Sequence, residues 1–377
     1  MYRKRVKIGK KQFIFRVIMS IFHIFPIQKN KIVVSNFLGR GFGDNPKYII
    51  EELNKNDKKY NIYWLVKDLE YEMPDYIMPI RIDSMSALYH LSTAHVWIDN
   101  CRKPIYCKKK KGQFYIQTWH GLMGFKKIEK EAVSITEEYK LASKNDSKMI
   151  DILLSGSRWC TEMLRRSFWY DGKILEIGSP RNDIFFSTDD NMKNEIKHRL
   201  NQSNDFLVLY APTFRQYSQE KHLYFNFDLW VKEFENVTNK KCKIFLRFHP
   251  NMNHEDIEFS ENVIDVSSYP DMQELLVACD ALVTDYSSAA FEAALAYKPV
   301  FLLCNDYFQY IKVERSLFFD MNDLPFPFFT SEKEFINTIA MFNNKKYVES
   351  VDEFFTSVGS VECGKASAAI AEIIERL

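Results

Sequence analysis

Two of the chain's eight histidines stand where they could move protons. His120 lies in the run Gln117-Thr118-Trp119-His120-Gly121, and His249 in Arg247-Phe248-His249-Pro250; each run follows an apolar stretch that reads as a strand. A lone histidine is more often structural, but two at strand ends suit acid–base work, because neutral imidazole accepts a proton near pH 7. Two more polar clusters follow the same rule. Tyr210-Ala211-Pro212-Thr213-Phe214-Arg215 ends one predicted strand, and Thr284-Asp285-Tyr286-Ser287-Ser288 ends another and opens a helix. Free amides at a helix start, with hydroxyls beside them, favour an anion such as a diphosphate. The plainer reading makes Ser287 a simple helix cap. Glu292, one turn further on, either reaches a ribose hydroxyl or faces solvent. Arg215 and Arg247 suit bidentate contact with phosphate, or else ordinary surface ion pairs.

Other chemistries find no support. There is no D-x-D triplet to chelate a divalent ion on a diphosphate, no P-loop signature and no G-x-S-x-G elbow. The seven cysteines have no C-x-x-C spacing, so reduced, mostly buried thiols are expected rather than a zinc site. No cofactor is expected, and nothing in the sequence points to Mg²⁺.

The elements that must carry these groups alternate along the chain. Short apolar runs at 31–36, 60–66, 78–82, 95–98, 113–118, 152–155 and 174–177 read as strands of one lobe. Runs at 206–211, 242–248, 263–266, 281–284 and 300–304 read as strands of a second, with helices over 272–279 and 287–297. Such alternation predicts α/β architecture with doubly wound parallel sheets. In open α/β sheets ligands gather at the carboxyl ends of strands, so the four polar clusters are expected to line one cleft between two lobes. The loop Gly39, Gly41, Gly43 has G-x-G-x-G spacing, not the dinucleotide fingerprint, and Asp44-Asn45-Pro46 starts a helix. The expected division is 1–30, a basic helix; 31–195, the first lobe; 196–345, the second; and 346–377, closing helices, with segments at 191–200, 332–340 and 366–377 read as helical.

At 377 residues the chain is long enough for two such lobes, and its 46% hydrophobic and 27% charged composition is that of a globular protein. The net charge of +1 is unevenly spread. Arg3, Lys4, Arg5, Lys7, Lys10, Lys11, Arg16, Lys29, Lys31 and Arg40 precede the first acidic residue, Asp44, and a second basic cluster comprises Arg102, Lys103 and Lys108–Lys111. Both imply an anionic partner, a phospholipid surface or a phosphate-rich substrate; no nucleic-acid-binding motif accompanies them. The apolar stretch Phe13–Phe25 is too short to span a bilayer and is interrupted by Arg16, Ser20 and His23, so an interfacial helix on an anionic membrane is expected, with packing on the protein itself as the alternative.

The ordered set of motifs resembles the CDP-glycerol glycerophosphotransferases of bacterial teichoic acid and related capsule synthesis. The matching pieces are Phe37–Pro46, Gln117–Gly121, Gly178–Asp183, Tyr210–Arg215, Arg247–Pro250, Asp285–Ser288, and Asn305-Asp306-Tyr307 through Arg315 to Asp320, in the family's order. The resemblance implies a GT-B-like fold, the acceptor on the first lobe and a CDP-glycerol or CDP-ribitol donor on the second. It implies peripheral attachment to the inner face of the cytoplasmic membrane and a lipid-linked or polyol-phosphate acceptor. His120 would be the general base for the acceptor hydroxyl and His249 would orient the phosphate under attack, roles that could be exchanged. Thr213, Arg215, Arg247, Thr284, Asp285, Ser287, Ser288 and Glu292 would serve the donor; Asn45, Lys126, Lys127 and Arg181 would serve the acceptor and its phosphate. CMP would leave. One departure is that Leu122-Met123-Gly124-Phe125 follows Gly121 where the family usually has a Thr-Pro-Leu segment. A nucleotide-sugar glycosyltransferase and a non-catalytic polymer-binding component are the competing readings.

Overall fold

The computed structural model describes residues 9–120, 123–132, 135–202, 205–215, 225–248, 260–313 and 316–377. The chain forms two compact units. One gathers Met1–Gly121, Ile128–Asp183 and Val361–Leu377; the other gathers Leu122–Lys127 and Ile184–Ser360.

The first unit is built on a parallel sheet of β1 (Gln28–Ser35), β2 (Asn61–Val66), β3 (Ile77–Arg81), β4 (Ala94–Asp99), β5 (Phe114–Gln117), β6 (Ile152–Ser155) and β7 (Lys173–Glu176). Their spatial order is β3-β2-β1-β4-β5-β6-β7, so the winding reverses between β1 and β4. All six residues of β4 are buried, as expected of a central parallel strand covered on both faces. β3, which carries Pro79, lies at the edge, where a missing N–H does least harm. Around the sheet run α1 (Lys10–Phe22), α2 (Asp44–Asn54), α3 (Met85–Thr93), α4 (Glu137–Ser147) and α5 (Arg158–Ser167). The hydroxyls of Ser84, Thr136 and Ser157 cap the last three.

The second unit repeats the scheme with β8 (Phe206–Ala211), β9 (Cys242–Leu246), β10 (Val263–Asp265), β11 (Ala281–Thr284), β12 (Val300–Leu303) and β13 (Phe328–Phe329), ordered β10-β9-β8-β11-β12-β13. Its winding reverses between β8 and β11. Its helices are α6 (Ile184–Ser187), α7 (Asp190–Arg199), α8 (Phe227–Thr238), α9 (Met272–Ala278), α10 (Ala289–Leu295), α11 (Tyr307–Val313), α12 (Glu332–Ile339) and α13 (Asn344–Ser357). Trp230, Phe234, Ile244, Leu246, Val283, Phe301 and Phe335 form its core. The last helix, α14 (Ala366–Arg376), belongs to the first unit, where Ile370, Ala371 and Ile374 pack with Ile49, Ile50 and Leu53 of α2.

The amino-terminal helix has two apolar faces. Phe22 and Phe15 meet Tyr89 and Tyr106 edge-on, at 5.8 and 5.2 Å, and Met19 is buried. Phe13 (60% exposed), Ile14, Val17 and Ile21 remain in solvent. Beside it stands part of the second basic cluster: Lys108 Nζ donates to Ser20 Oγ (3.2 Å) and Lys110 Nζ to the His23 carbonyl (3.3 Å). Two expected members of the basic surface are interior. Lys31 is buried, donating to Thr93 Oγ1 (2.7 Å) between Tyr63 and Tyr89, and desolvation lowers its pKa to about 8. Lys103 is buried in an ion pair with Asp99 (2.7 Å).

Candidate active site

In the first unit the polar residues converge at the carboxyl ends of β1 and β4, where the strand order reverses and a parallel sheet opens a crevice. Asn36 follows β1 and Asn100 follows β4; Asn100 Nδ2 donates to Asn36 Oδ1 (2.8 Å) and Asp44 Oδ1 (2.9 Å). The Asn100 carbonyl lies 2.7 Å from Nδ1 of His120. A carbonyl only accepts, so this bond places the proton on Nδ1 and leaves the Nε2 lone pair to act as a base. Burial lowers the His120 pKa below its ordinary value, the Asn100 carbonyl and Asp44 oppose that, and Arg181 and Arg102 add to it. The imidazole is thus neutral at pH 7, flanked by Trp119 (centroids 4.3 Å) and Phe37 (5.3 Å).

A scaffold holds this loop from behind. Asn45 Nδ2 donates to the Trp119 carbonyl (3.0 Å), and Asn45 Oδ1 accepts from the Arg181 amide (3.0 Å). The Arg181 guanidinium forms a buried ion pair with Asp44 and donates to the His120 carbonyl (3.2 Å). Phe37, Leu38, Asp44 and Trp119 have positive φ of 40°, 57°, 57° and 52°. Left-handed backbone at non-glycine residues costs about 1–3 kcal/mol each and persists where a site demands it.

The second unit has an analogous cluster at its own reversal point, β8 against β11. Thr284 Oγ1 bonds the Ala211 carbonyl (2.7 Å), fixing the two strand ends together. Asp285 Oδ1 accepts from the Thr213 amide (2.9 Å), the Thr213 hydroxyl and the Tyr286 amide (2.6 Å). Its Oδ2 accepts from Arg215 Nη2 (2.7 Å). Burial alone would raise the Asp285 pKa, but Arg215, Thr213 and Lys126 together bring it below the ordinary value. Arg215 also donates to both oxygens of Asp306 (2.8 and 3.2 Å) and to the Thr213 carbonyl (2.6 Å), over the stacked rings of Tyr286 and Tyr310, whose centroids are 3.7 Å apart.

The expected site residues therefore divide by role. His120, Ser287 and Ser288 are largely covered but keep a little exposure, and Ser288, at the amino end of α10, makes no side-chain cap. Ser287 Oγ accepts from the Ala289 amide at 3.3 Å. Arg215 is fully buried with its donors directed at two carboxylates and a carbonyl, so the expected phosphate clamp is an internal strut here. Glu292 is buried and accepts from Gln273 Nε2 (2.7 Å), facing neither solvent nor open space. Asn45 and Arg181 are likewise interior. Arg247 is half-buried, its Nη1 donating to the Tyr269 carbonyl (2.6 Å), and burial lowers its pKa. Lys126 and Lys127 belong to the second unit: Lys126 pairs with Leu317 in an antiparallel bridge and the Lys127 amide bonds the Ser316 carbonyl (2.9 Å). His249, Pro250, Gly121 and Arg315 lie outside the described residues. Sequence reasoning passed over Asn100 and named Asp44 and Asp306 only within motif runs, without a site role; each follows a strand end or opens a helix, the same rule that found the others. Among the described residues no cluster of His, Cys, Asp and Glu is arranged to hold a metal ion.

Known proteins are similar to this chain in sequence and in fold. A teichoic acid poly(glycerol phosphate) polymerase of Staphylococcus epidermidis is 33% identical over 93% of the chain, which spans about half (51%) of that relative's length. A teichoic acid glycerol-phosphate transferase of Staphylococcus aureus is 30% identical, with 92% of this chain and 93% of the relative aligned. A structure of a variant of the wall teichoic acid polymerase TagF, soaked with CDPG, superposes with a TM-score of 0.85 at 30% identity, covering 98% of each chain. The two Rossmann-like parallel sheets are those of the GT-B-like fold class. Residues 17–376 match the sequence profile of the CDP-glycerol:poly(glycerophosphate) glycerophosphotransferases, and the chain belongs to that family of transferases.

Proposed function

We propose that the chain transfers glycerol phosphate, or another polyol phosphate, from a CDP-alditol to a membrane-linked or polymer acceptor in teichoic-acid-type synthesis. The observation that carries the reading is His120 at the β1/β4 reversal, with its Nδ1 proton committed to the Asn100 carbonyl and Nε2 left as the acceptor, in a member of this transferase family. The acceptor hydroxyl oxygen attacks the phosphorus that bears the polyol. The bond from that phosphorus to the bridging oxygen of the diphosphate breaks, CMP departs with that oxygen, and the hydroxyl proton passes to Nε2 of His120. His249 is assigned to the phosphate under attack. The donor is assigned to the second unit, where Ser287, Ser288 and Lys126 are partly exposed beside the Arg215–Asp285–Asp306 group, whose guanidinium is already paired with two carboxylates. Glycerol is preferred to ribitol because the relatives described above are glycerol-phosphate enzymes.

The acceptor side is assigned to an anionic membrane surface, with α1 lying on it. In support, the outer face of α1 exposes Phe13, Ile14, Val17 and Ile21, and Lys108 and Lys110 stand beside its carboxyl end. No helix among the described residues is long and apolar enough to cross a membrane. The test is to incubate the protein with CDP-glycerol, CDP-ribitol and UDP-sugars and identify the nucleotide released in the presence of acceptor. CMP release from a CDP-alditol is expected; UDP release without CMP refutes the reading.

A further inference from the structure

We propose that Glu362, just ahead of α14, is a positioning residue for His120, acting through the Gly178–Asp183 turn. The inference rests on the assignment of His120 as the proton acceptor, and it names a residue far along the chain on which that group's placement depends.

The links are continuous within the first unit. The Ser179 amide donates to both carboxylate oxygens of Glu362 (3.0 and 3.1 Å), and Asn182 Nδ2 donates to one of them (3.2 Å). Gly178 has φ +95°, and a Cβ there would fall 3.0 Å from Glu362 Oε2, so the turn closes directly on the carboxylate. The Val361 amide bonds the Gly156 carbonyl (3.0 Å), anchoring the segment that carries Glu362. The far end of the turn is held as well: Asp183 accepts from the Ala366 and Ser367 amides (3.1 and 2.7 Å). Between these two anchors lies Arg181, whose amide fixes Asn45 and whose guanidinium reaches the His120 carbonyl and Asp44. Asn45 in turn fixes Trp119. Burial raises the Glu362 pKa to about 8, against the N–H donors of Ser179 and Asn182. Two oxygens on one side chain let Glu362 receive the Ser179 amide and the Asn182 side-chain amide together.

The consequence for His120 can be read without substrate. Its titration responds to burial, Asp44, Arg181, Arg102 and the Asn100 carbonyl, with Cys101 Sγ 3.9 Å from Nδ1. Loosening the turn moves Arg181 and admits water, and both changes raise the imidazole pKa towards its ordinary value of about 6.5. The experiment is a ¹H–¹³C NMR titration of His120 in the full chain for wild type, Glu362→Ala and Glu362→Gln, beside CMP release and CDP-glycerol binding. Glu362→Ala should move the midpoint upward and lower kcat roughly tenfold to a hundredfold, with CDP-glycerol affinity unchanged. Glu362→Gln keeps an acceptor for Ser179 but sets its own NH₂ group among donors, and should fall between. An unmoved midpoint in folded Glu362→Ala overturns the proposal, as does an unmoved midpoint in Glu362→Gln if the alanine variant does not fold. If wild type releases no CMP while the midpoint shifts as described, the functional reading fails and the tether stands.

Discussion

Replacing Arg215 with alanine separates a strut from a phosphate clamp. The guanidinium is 1% exposed and makes four bonds, three of them to the carboxylates of Asp285 and Asp306. At an effective dielectric near 20, each ion pair at about 4 Å is worth roughly 4 kcal/mol of Coulomb attraction, largely offset by the desolvation of the charges. Removing only the cation leaves the desolvation and loses the attraction. Asp285 keeps the Thr213 and Tyr286 amides and Asp306 keeps the Tyr286 hydroxyl (3.1 Å), so the loss stays within the usual range for a broken buried pair, about 3–5 kcal/mol. For a unit of this size that is a fall in melting temperature of roughly 10 °C. The pH dependence has a definite sign. In the wild type the depressed Asp285 pKa contributes stability above its unfolded value, which is lost as pH falls through the folded one. Without Arg215 the folded pKa of Asp285 rises above the unfolded value, so the penalty is small below about pH 4 and grows towards neutrality. Urea unfolding followed by circular dichroism at pH 4.5 and 7.5 measures both. A variant that loses donor affinity while its stability at pH 7.5 falls by less than about 1 kcal/mol would show that Arg215 faces the ligand, and the strut argument would be wrong.

Three further outcomes are expected. His120→Ala should lower kcat by at least roughly a hundredfold, and the acid limb of the wild-type kcat/KM profile should fall below the ordinary histidine value, because burial favours the neutral base; a limb above pH 7 contradicts this. Gly39→Ala should destabilise the first unit by more than about 1–2 kcal/mol in thermal melts, since Gly39 has φ +94° and a Cβ there would meet the Lys67 amide nitrogen at 2.9 Å; an unchanged melt refutes it. Phe13→Ser with Ile21→Ser should weaken sedimentation with anionic vesicles while leaving CDP-glycerol binding intact, because both side chains lie on the exposed face of α1; retained vesicle binding excludes that face.

The strands were legible because parallel strands covered on both faces are unbroken apolar runs, and Phe206–Ala211 or Ala281–Thr284 can be little else. β13 escaped because two residues carry no period. Helices α4 and α8 were missed for different reasons: Glu137–Ser147 is so polar that its apolar stripe is faint, whereas Phe227–Thr238 carries an Asn226 cap and a stripe of Phe227, Trp230, Val231 and Phe234 that could have been read. The polar clusters were found by position, at strand ends. What position could not tell was whether a charged group faces outward or inward. Arg215, Arg181 and Glu292 look alike in sequence to ligand-binding residues, and only the carboxylates of Asp306 and Asp44 and the amide of Gln273, all remote along the chain, decide their direction. Lys31 and Lys103 were misread as surface charge for the same reason.

The two units answer one geometric problem in the same way. Where strand order reverses, the segments after neighbouring strands leave towards opposite faces of the sheet, and the strand ends are left without a covering helix. Apolar side chains there would be wetted; a bare row of carbonyls would go unpaired. Each unit closes its gap with a buried aspartate–arginine pair: in the first, Asp44–Arg181 also binds Asn100 and the His120 carbonyl; in the second, Asp285–Arg215 also binds Asp306, the Thr213 backbone and the Tyr286 amide that leads into Ser287. Because each guanidinium is already neutralised, it offers little net attraction to an incoming phosphate. On the proposed reading, selectivity and turnover then fall to groups held on the scaffold, the His120 imidazole in one unit and the partly exposed Ser287, Ser288 and Lys126 in the other. The arginines fix where those groups stand.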